Sequence, residues 1–306
     1  MSSLPHILFC ESPFDKNKVD PDFNGEFSSA VSNGFKTMIF NFDDFINSND
    51  YKSGTRRIST TSELTPIIYR GWMLTPKQYA ALYNELLSKN FKLFNNSTEY
   101  QNCHYLPDSL RFIESYTPKT VFEKLSNENS RSRLMEKAKK FGNNAVIVKD
   151  YVKSEKHDWY TACFVENASD SVKLNQTIEN LIQLRGNYLN EGIVIRDYVP
   201  LKELTMHSKS GMPLKEEYRL FFCNGRLVGI YDYWEEGEYD LLRPDITLFE
   251  EIARNIESNF FSMDIARQAN GELIIIELGD GQVSGLPDRT DKNNFYKELK
   301  SCFHAV

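Results

Sequence analysis

Two spacings of apolar and polar positions alternate along the chain, and their order divides it in two. Over the first hundred residues, short apolar runs at His6–Cys10, Thr37–Phe42, Pro66–Arg70 and Phe91–Phe94 read as strands. Between them, Phe23–Phe35 and Thr75–Asn90 carry helical spacing, the second opening on Thr75-Pro76, an N-cap followed by proline at the first helical position. Strand and helix in alternation predict a small parallel α/β sheet. A polar stretch between Asp43 and Thr65 reads as a long surface loop.

From about Pro107 the pattern changes. Helices are expected over Asp108–Tyr116, Ser130–Phe141, Leu174–Arg185 and Ile246–Glu257, and strands over Ala145–Lys153 and Gly192–Val199. Two hairpins follow, one turning at Asn224-Gly225 and one at Asn270-Gly271. The division predicts a parallel α/β domain over residues 1–106 and an α+β, hairpin-rich domain over 107–306, with subdivisions at 117–200 and 201–306.

The hairpins place charge. If each closes on a two-residue type I′ turn, Asp264 faces Glu277 in the second hairpin, while Met263 and Ile265 face Ile276 and Leu278 on the core side. In the first, Arg219 faces Ile230 and Glu217 faces Asp232. Opposed carboxylates destabilise a strand pair, so Asp264 and Glu277 call for a compensating cation, and hard oxygen ligands suit Mg²⁺ or Mn²⁺. Asp280 and Gln282, in the glycine-bearing run after Glu277, are candidates to complete the metal shell. Lys149 and Lys153, four apart on a predicted strand, share a face and invite phosphate, or else form a solvated face. Arg219 is suited either to neutralise the neighbouring acids or to hold a phosphate or carboxylate in a two-pronged grip.

Composition mainly removes alternatives. The chain has 306 residues and a net charge of −7, which disfavours a nucleic-acid partner. Five scattered cysteines with no C-x-x-C pair, and five dispersed histidines with no H-E-x-x-H, argue against a disulfide framework and a zinc site. No apolar run approaches the roughly 20 residues that span a bilayer, and the N-terminus lacks a signal-like segment, so no membrane partner and a cytoplasmic location are expected. Neither the dinucleotide fingerprint nor a P-loop occurs.

The order of these parts resembles the ATP-grasp superfamily, and within it the clade named for an arginine and two lysines. The resemblance spans roughly residues 107–290. It is carried by Val148-Lys149-Asp150-Tyr151-Val152-Lys153-Ser154, Glu217-Tyr218-Arg219-Leu220-Phe221-Phe222, Phe260-Phe261-Ser262-Met263-Asp264 and Ile276-Glu277-Leu278-Gly279-Asp280-Gly281-Gln282. It implies an ATP-grasp fold with residues 1–106 as the preceding α/β domain. By the same resemblance Lys149 contacts ATP phosphates with Lys153 nearby, and Arg196, Asp197, Tyr198 and Val199 form the adenine and ribose hinge. Glu217 and Arg219 face phosphate and substrate, and Asp264 and Glu277 are Mg²⁺ ligands. Many relatives carry asparagine two residues after the second acid; here Gly279 stands there, so Asp280 or Gln282 is expected to substitute. The implied reaction joins a carboxylate to an amine through an acyl phosphate, releasing ADP and phosphate, on small-molecule, peptide or protein substrates. Two other readings are a covalent nucleotidyltransferase of the RNA-ligase type using Lys149, with Glu191–Arg196 as its second motif, and a nucleotide-sensing module without turnover.

Overall fold

A computed structural model describes residues 4–47, 51–209 and 211–303. The parallel α/β sheet is present as the spacing predicts: β1 (His6–Cys10), β2 (Thr37–Phe40), β3 (Thr65–Arg70) and β4 (Phe91–Leu93) pair in the order β2-β1-β3-β4, all parallel. β1 is an almost unbroken apolar run because helices and a neighbouring sheet cover both its faces. Thr75 caps the helix Pro76–Leu87 through a reciprocal box with Gln78. The polar stretch after Asp43 is not an open loop. It holds the helix Phe42–Asn47, which buries Phe45, and the short helix Lys52–Thr55 packed on it, residues 48–50 lying outside the described residues.

The second sheet contains β5 (Thr120–Lys124), β6 (Val146–Asp150), β7 (Phe164–Val165) and β8 (Gly192–Asp197) in the antiparallel order β5-β8-β6-β7. The helices Ser130–Ala138 and Ser171–Arg185 cover one face, burying Val146, Val148, Ile193 and Ile195 with Leu134, Leu174 and Ile178. Lys149 and Arg196 lie on the other face, opposite Val194 and Ile147 respectively. The predicted strand Ala145–Lys153 ends early. Asp150 turns the chain by accepting from the backbone N–H groups of Val152 and Lys153. Its other oxygen takes Arg185 and Asn190, so Lys153 stands on a turn rather than on the strand.

A small hairpin, β9 (Glu203–Met206) with β10 (Pro213–Lys215), leads to the third sheet, β11 (Glu217–Cys223), β12 (Arg226–Asp232), β13 (Phe260–Arg267) and β14 (Leu273–Asp280), in the antiparallel order β12-β11-β13-β14. One face buries Leu220, Phe222, Phe261, Met263 and Ile265 against the helix Thr247–Ala253. At the far end Phe221, Cys223 and Phe260 share a core with Ile7, Phe9 and the helix Lys292–Ser301, fastening this sheet to the first.

Both hairpin registers carry a bulge. Asn224 and Gly225 have φ of +52° and +70° and make the expected two-residue turn. An extra residue, Val228, then shifts the ladder, so Arg219 faces Tyr231 and Tyr218 faces Asp232. Glu217 therefore lies beside Tyr233, whose N–H its carbonyl accepts, and the expected pairing with Asp232 does not form. The second hairpin closes on three residues, with Gly271 at φ +94° and Gln268 bonding to Glu272. Ile276 bulges further along, which restores the register and sets Asp264 opposite Glu277. The core position opposite Ile265 is consequently Ile275 rather than Ile276.

Candidate functional site

The third sheet presents a row of charge across three strands: Arg219 on β11 pairs in register with Asp264 on β13, which pairs with Glu277 on β14. Arg219 grips Asp264 with two hydrogen bonds, Nε to Oδ1 at 2.8 Å and Nη2 to Oδ2 at 2.7 Å. Its remaining Nη1 donates to Gly285 O at 2.9 Å, and its guanidinium stacks 4.8 Å over the Tyr233 ring. Glu277 reaches across the cleft to the second sheet, where Lys149 Nζ donates to its Oε2 at 2.7 Å. Asp264 is 4 % exposed and Lys149 5 %, so these two are largely removed from bulk water, whereas Glu277 between them is partly open to the cleft.

The local fields are strong. Burial pushes the Glu277 carboxyl up, but Lys149, with Lys156 and Lys153 behind it, outweighs burial and holds it at about 2. Glu217, two residues before Arg219 on the same face, sits above the ordinary carboxylate range because burial and Asp264 outweigh Lys156. Lys156 has a solvent-exposed side chain whose ammonium end is crowded by protein; that desolvation opposes the charge, yet Glu217, Tyr233 and Glu277 together hold the ammonium above its usual value. Lys153, also exposed along its side chain, moves the opposite way: desolvation of its ammonium end lowers it, and Lys149 and Arg219 add to that against the pull of Glu277. The cleft thus opposes Lys149, Lys153, Lys156 and Arg219 to Glu217, Asp264 and Glu277, leaving an excess of positive charge suited to a polyanion.

The sequence reading missed Lys156. It opens a single helical turn, Lys156–Asp158, too short to leave a periodic pattern, and its only signal was a third lysine soon after Lys149 and Lys153. The hinge residues divide. Arg196 is buried with its guanidinium turned to the third sheet, donating to Ile276 O and Thr117 Oγ1; burial lowers it to about 10 against the pull of Glu277. Asp197 accepts from Asn144 on the helix-covered side of its sheet. Tyr198 gives its N–H to Ala145 O and packs its ring on Phe164, which stacks on Trp159. Val199 is half-buried just beyond.

Asp280 and Gln282 do not complete a metal shell. Asp280 is fully buried, accepting from Asn95 Nδ2 at 2.5 Å and from the Gln282 N–H at 2.9 Å, and burial raises its carboxyl to about 7. Gln282 bridges the first sheet instead, donating to the Tyr79 hydroxyl and accepting from Tyr69 N–H. Asparagine at Gly279 would have to displace two hydroxyls. A Cβ there would lie 2.5 Å and 2.6 Å from the Ser284 and Ser262 hydroxyls, which are bonded to each other. Among the described residues no group of three His, Cys, Asp or Glu side chains is arranged to hold a metal ion. The opposed pair Asp264 and Glu277 still suits Mg²⁺, which usually takes one or two protein carboxylates and completes its octahedron with water and substrate phosphate.

A cavity of about 290 Å³ opens beside Arg219, walled by Tyr233, Trp234, Leu214 and Leu286, with Glu235 and Asp288 among its polar lining. All five cysteines are free and buried. No helix among the described residues is long and apolar enough to cross a membrane.

A cleft between two antiparallel sheets, following a parallel α/β domain, defines the ATP-grasp fold, and solved structures with this arrangement align over almost the whole chain. The ATP-grasp RimK domain protein from Sphaerobacter thermophilus matches with a TM-score of 0.58 at 10 % identity, over 97 % of this chain and 98 % of its own. D-alanine–D-alanine ligase from Bacillus anthracis, solved with ATP, gives 0.56 at 13 % identity over 98 % and 95 %. The ATP-grasp ligase PsnB, solved with a minimal precursor, Mg and ADP, gives 0.54 at 11 % over 98 % and 97 %. A search of curated protein sequences returned no match. Residues 140–299 match the ATP-grasp domain of family 3 in the clade named for an arginine and two lysines, and the chain belongs to that family.

Proposed function

We propose that the protein is an ATP- and Mg²⁺-dependent carboxylate–amine ligase. The observation that carries this reading is the continuous line from Arg219 through Asp264 and Glu277 to Lys149, which joins two sheets across a cleft with excess positive charge. Lys149 is the phosphate-binding lysine, with Lys153 and Lys156 supplying further positive charge. Asp264 and Glu277 hold Mg²⁺, and Mn²⁺ substitutes by its like preference for oxygen. An Mg²⁺ held by these two carboxylates would neutralise and orient the phosphates.

Glu277 pairs with Lys149, and Asp264 pairs with Arg219. Loading the site therefore exchanges partners: Lys149 turns to phosphate and Arg219 to the reacting carboxylate or the transferring phosphoryl group. A loose, charge-spread phosphoryl transfer needs positioned cations rather than a protein nucleophile, and this cleft supplies them. The γ-phosphoryl group passes to a substrate carboxylate, an amine attacks the resulting acyl phosphate, and ADP and phosphate leave. The cavity beside Arg219 is placed to hold the acyl acceptor or donor. Tyr198 and Val199 form the adenine side through backbone and ring.

PsnB was solved with a precursor peptide and D-alanine–D-alanine ligase joins two amino acids, which supports small-molecule or peptide substrates here as well. A cytoplasmic location fits a requirement for ATP. We also keep the division into residues 1–106 and 107–306, with the lysine strand and hinge in 117–200 and the metal hairpins in 201–306. Asp264→Asn and Glu277→Gln test the reading: both should melt cooperatively and both should lose Mg²⁺-dependent ATP turnover. A variant that folds and keeps that turnover removes its acid from the metal site.

A further inference from the structure

We propose that Thr117 and Arg196 form a clamp that fixes the register of Glu277, making them positioning residues for the metal-binding pair; this rests on the reading of Asp264 and Glu277 as metal ligands. The starting observation is that β14 changes register in its middle. Near the turn Ile265 pairs with Ile275, whereas beyond it Asp264 pairs with Glu277, with Ile276 inserted between. A strand continuing in the first register would put Ile276 opposite Asp264 and turn Glu277 to the face of Met263 and Ile265, inside the apolar core. The single bulged residue is what delivers Glu277 to the cleft.

Bulged backbone must be satisfied from outside the ladder, and β14 is an edge strand with no neighbouring strand on its outer side among the described residues. Consecutive carbonyls of a regular strand point to opposite sides. Here Ile275 O accepts from Thr117 Oγ1 at 2.8 Å and Ile276 O accepts from Arg196 Nη1 at 2.8 Å. The two donors are themselves joined, Arg196 Nη2 donating to Thr117 Oγ1 at 2.6 Å. Both successive carbonyls are therefore held by one cluster. That cluster is closed to water, Arg196 being 6 % and Thr117 8 % exposed, and Arg196 keeps a buried Nε with no hydrogen-bond partner.

The clamp also sets a distance between sheets. Arg196 on β8 and Lys149 on the adjacent β6 share a face of the second sheet, so the donor that pins Ile276 and the lysine that meets Glu277 are carried by one rigid element. Loss of the clamp frees the bulge to migrate along β14, and Glu277 loses its fixed place opposite Asp264.

Thr117→Val removes the hydroxyl with little change in volume, and Thr117→Ser restores it. Mn²⁺ binding in the presence of ADP is read by electron paramagnetic resonance, metal-free ADP binding by calorimetry, and amide exchange over residues 273–280 by mass spectrometry. Thr117→Val should weaken Mn²⁺ binding about 10–100-fold, as loss of a group supporting a metal ligand does. Metal-free ADP affinity should stay within about two-fold, exchange over 273–280 should quicken, and Thr117→Ser should return all three toward wild type. Arg196→Lys, which keeps the charge but not the fork, should fall between. Unchanged Mn²⁺ binding in Thr117→Val, or equal loss of metal and metal-free ADP binding, overturns the clamp. Wild-type protein that shows no ADP-dependent Mn²⁺ site overturns the metal reading instead, and unaltered exchange in Thr117→Val then overturns the clamp independently.

Discussion

Glu277→Gln separates two roles that one residue plays in succession. In the free protein Glu277 neutralises Lys149, and the substitution removes that charge while keeping the side chain's shape. A carboxyl held at about 2 instead of 4.5 represents about 3 kcal/mol of linkage at neutral pH. With 34 % of the side chain open to solvent, screening leaves about half, roughly 1.5 kcal/mol. For a chain of 306 residues that lowers the melting temperature by about 2–3 °C. Because the folded-state carboxyl is depressed, its contribution is fully present above pH 4.5 and is lost as pH falls toward 2. The gap between wild-type and variant melting curves should accordingly narrow below pH 4.5 and close near pH 2. Metal-free ADP no longer has to displace Glu277 from Lys149, so calorimetry should show the variant binding it equally well or up to about five-fold more tightly. Mg²⁺-dependent tightening should disappear. Metal-free ADP binding tenfold weaker than wild type, or a melting gap that persists unchanged to pH 2, would refute the exchange of partners.

Other expectations follow from the same geometry. Lys149→Met should raise the dissociation constant for ATP about tenfold or more, read by calorimetry, since a buried charge-assisted contact to phosphate is worth about 1.5–3 kcal/mol. Arg219→Lys keeps the charge but loses the fork on Asp264, and turnover should drop about 100-fold with ADP affinity nearly unchanged. Asp280→Asn should leave Mg²⁺ activation intact, because Asp280 faces Asn95 and Gln282 rather than the cleft. Its carboxyl is raised from 3.8 to about 7, so it favours the fold below pH 3.8 and that contribution is lost as pH rises through 7. Asp280→Asn should therefore flatten the fall in melting temperature between pH 4 and pH 7.

What the sequence revealed, and what it hid, follows the reach of each interaction. The four parallel strands and the Thr75 cap depend on neighbours within a few residues and were legible. The opposition of Asp264 and Glu277 was legible through two departures that cancel: a three-residue loop in place of two, then the bulge at Ile276. In the first hairpin nothing cancels the Val228 bulge, so the expected facing of Glu217 and Asp232 failed while Glu217 and Arg219 kept their shared face. Lys153 left its strand because Asp150 prefers to turn the chain, a local preference overridden in the reading by apolar periodicity. Asp280 was misread for a different reason: its partner Asn95 lies 185 residues away and only the folded chain brings them together. Thr117 and Arg196 likewise acquire their meaning from carbonyls about eighty or more residues distant in sequence.

The most direct test of ligase activity is product analysis. The protein is incubated with MgATP and a defined pool of amino acids, dipeptides and amines, nucleotides are separated by liquid chromatography, and intact-protein mass is read in parallel. ADP and phosphate released in proportion to the pool, with a new amide-linked product and unmodified protein, is the predicted result. AMP with an adenylylated protein would contradict it and place the chemistry on Lys149, and bound nucleotide with no product from any pool would contradict it in favour of a sensing role.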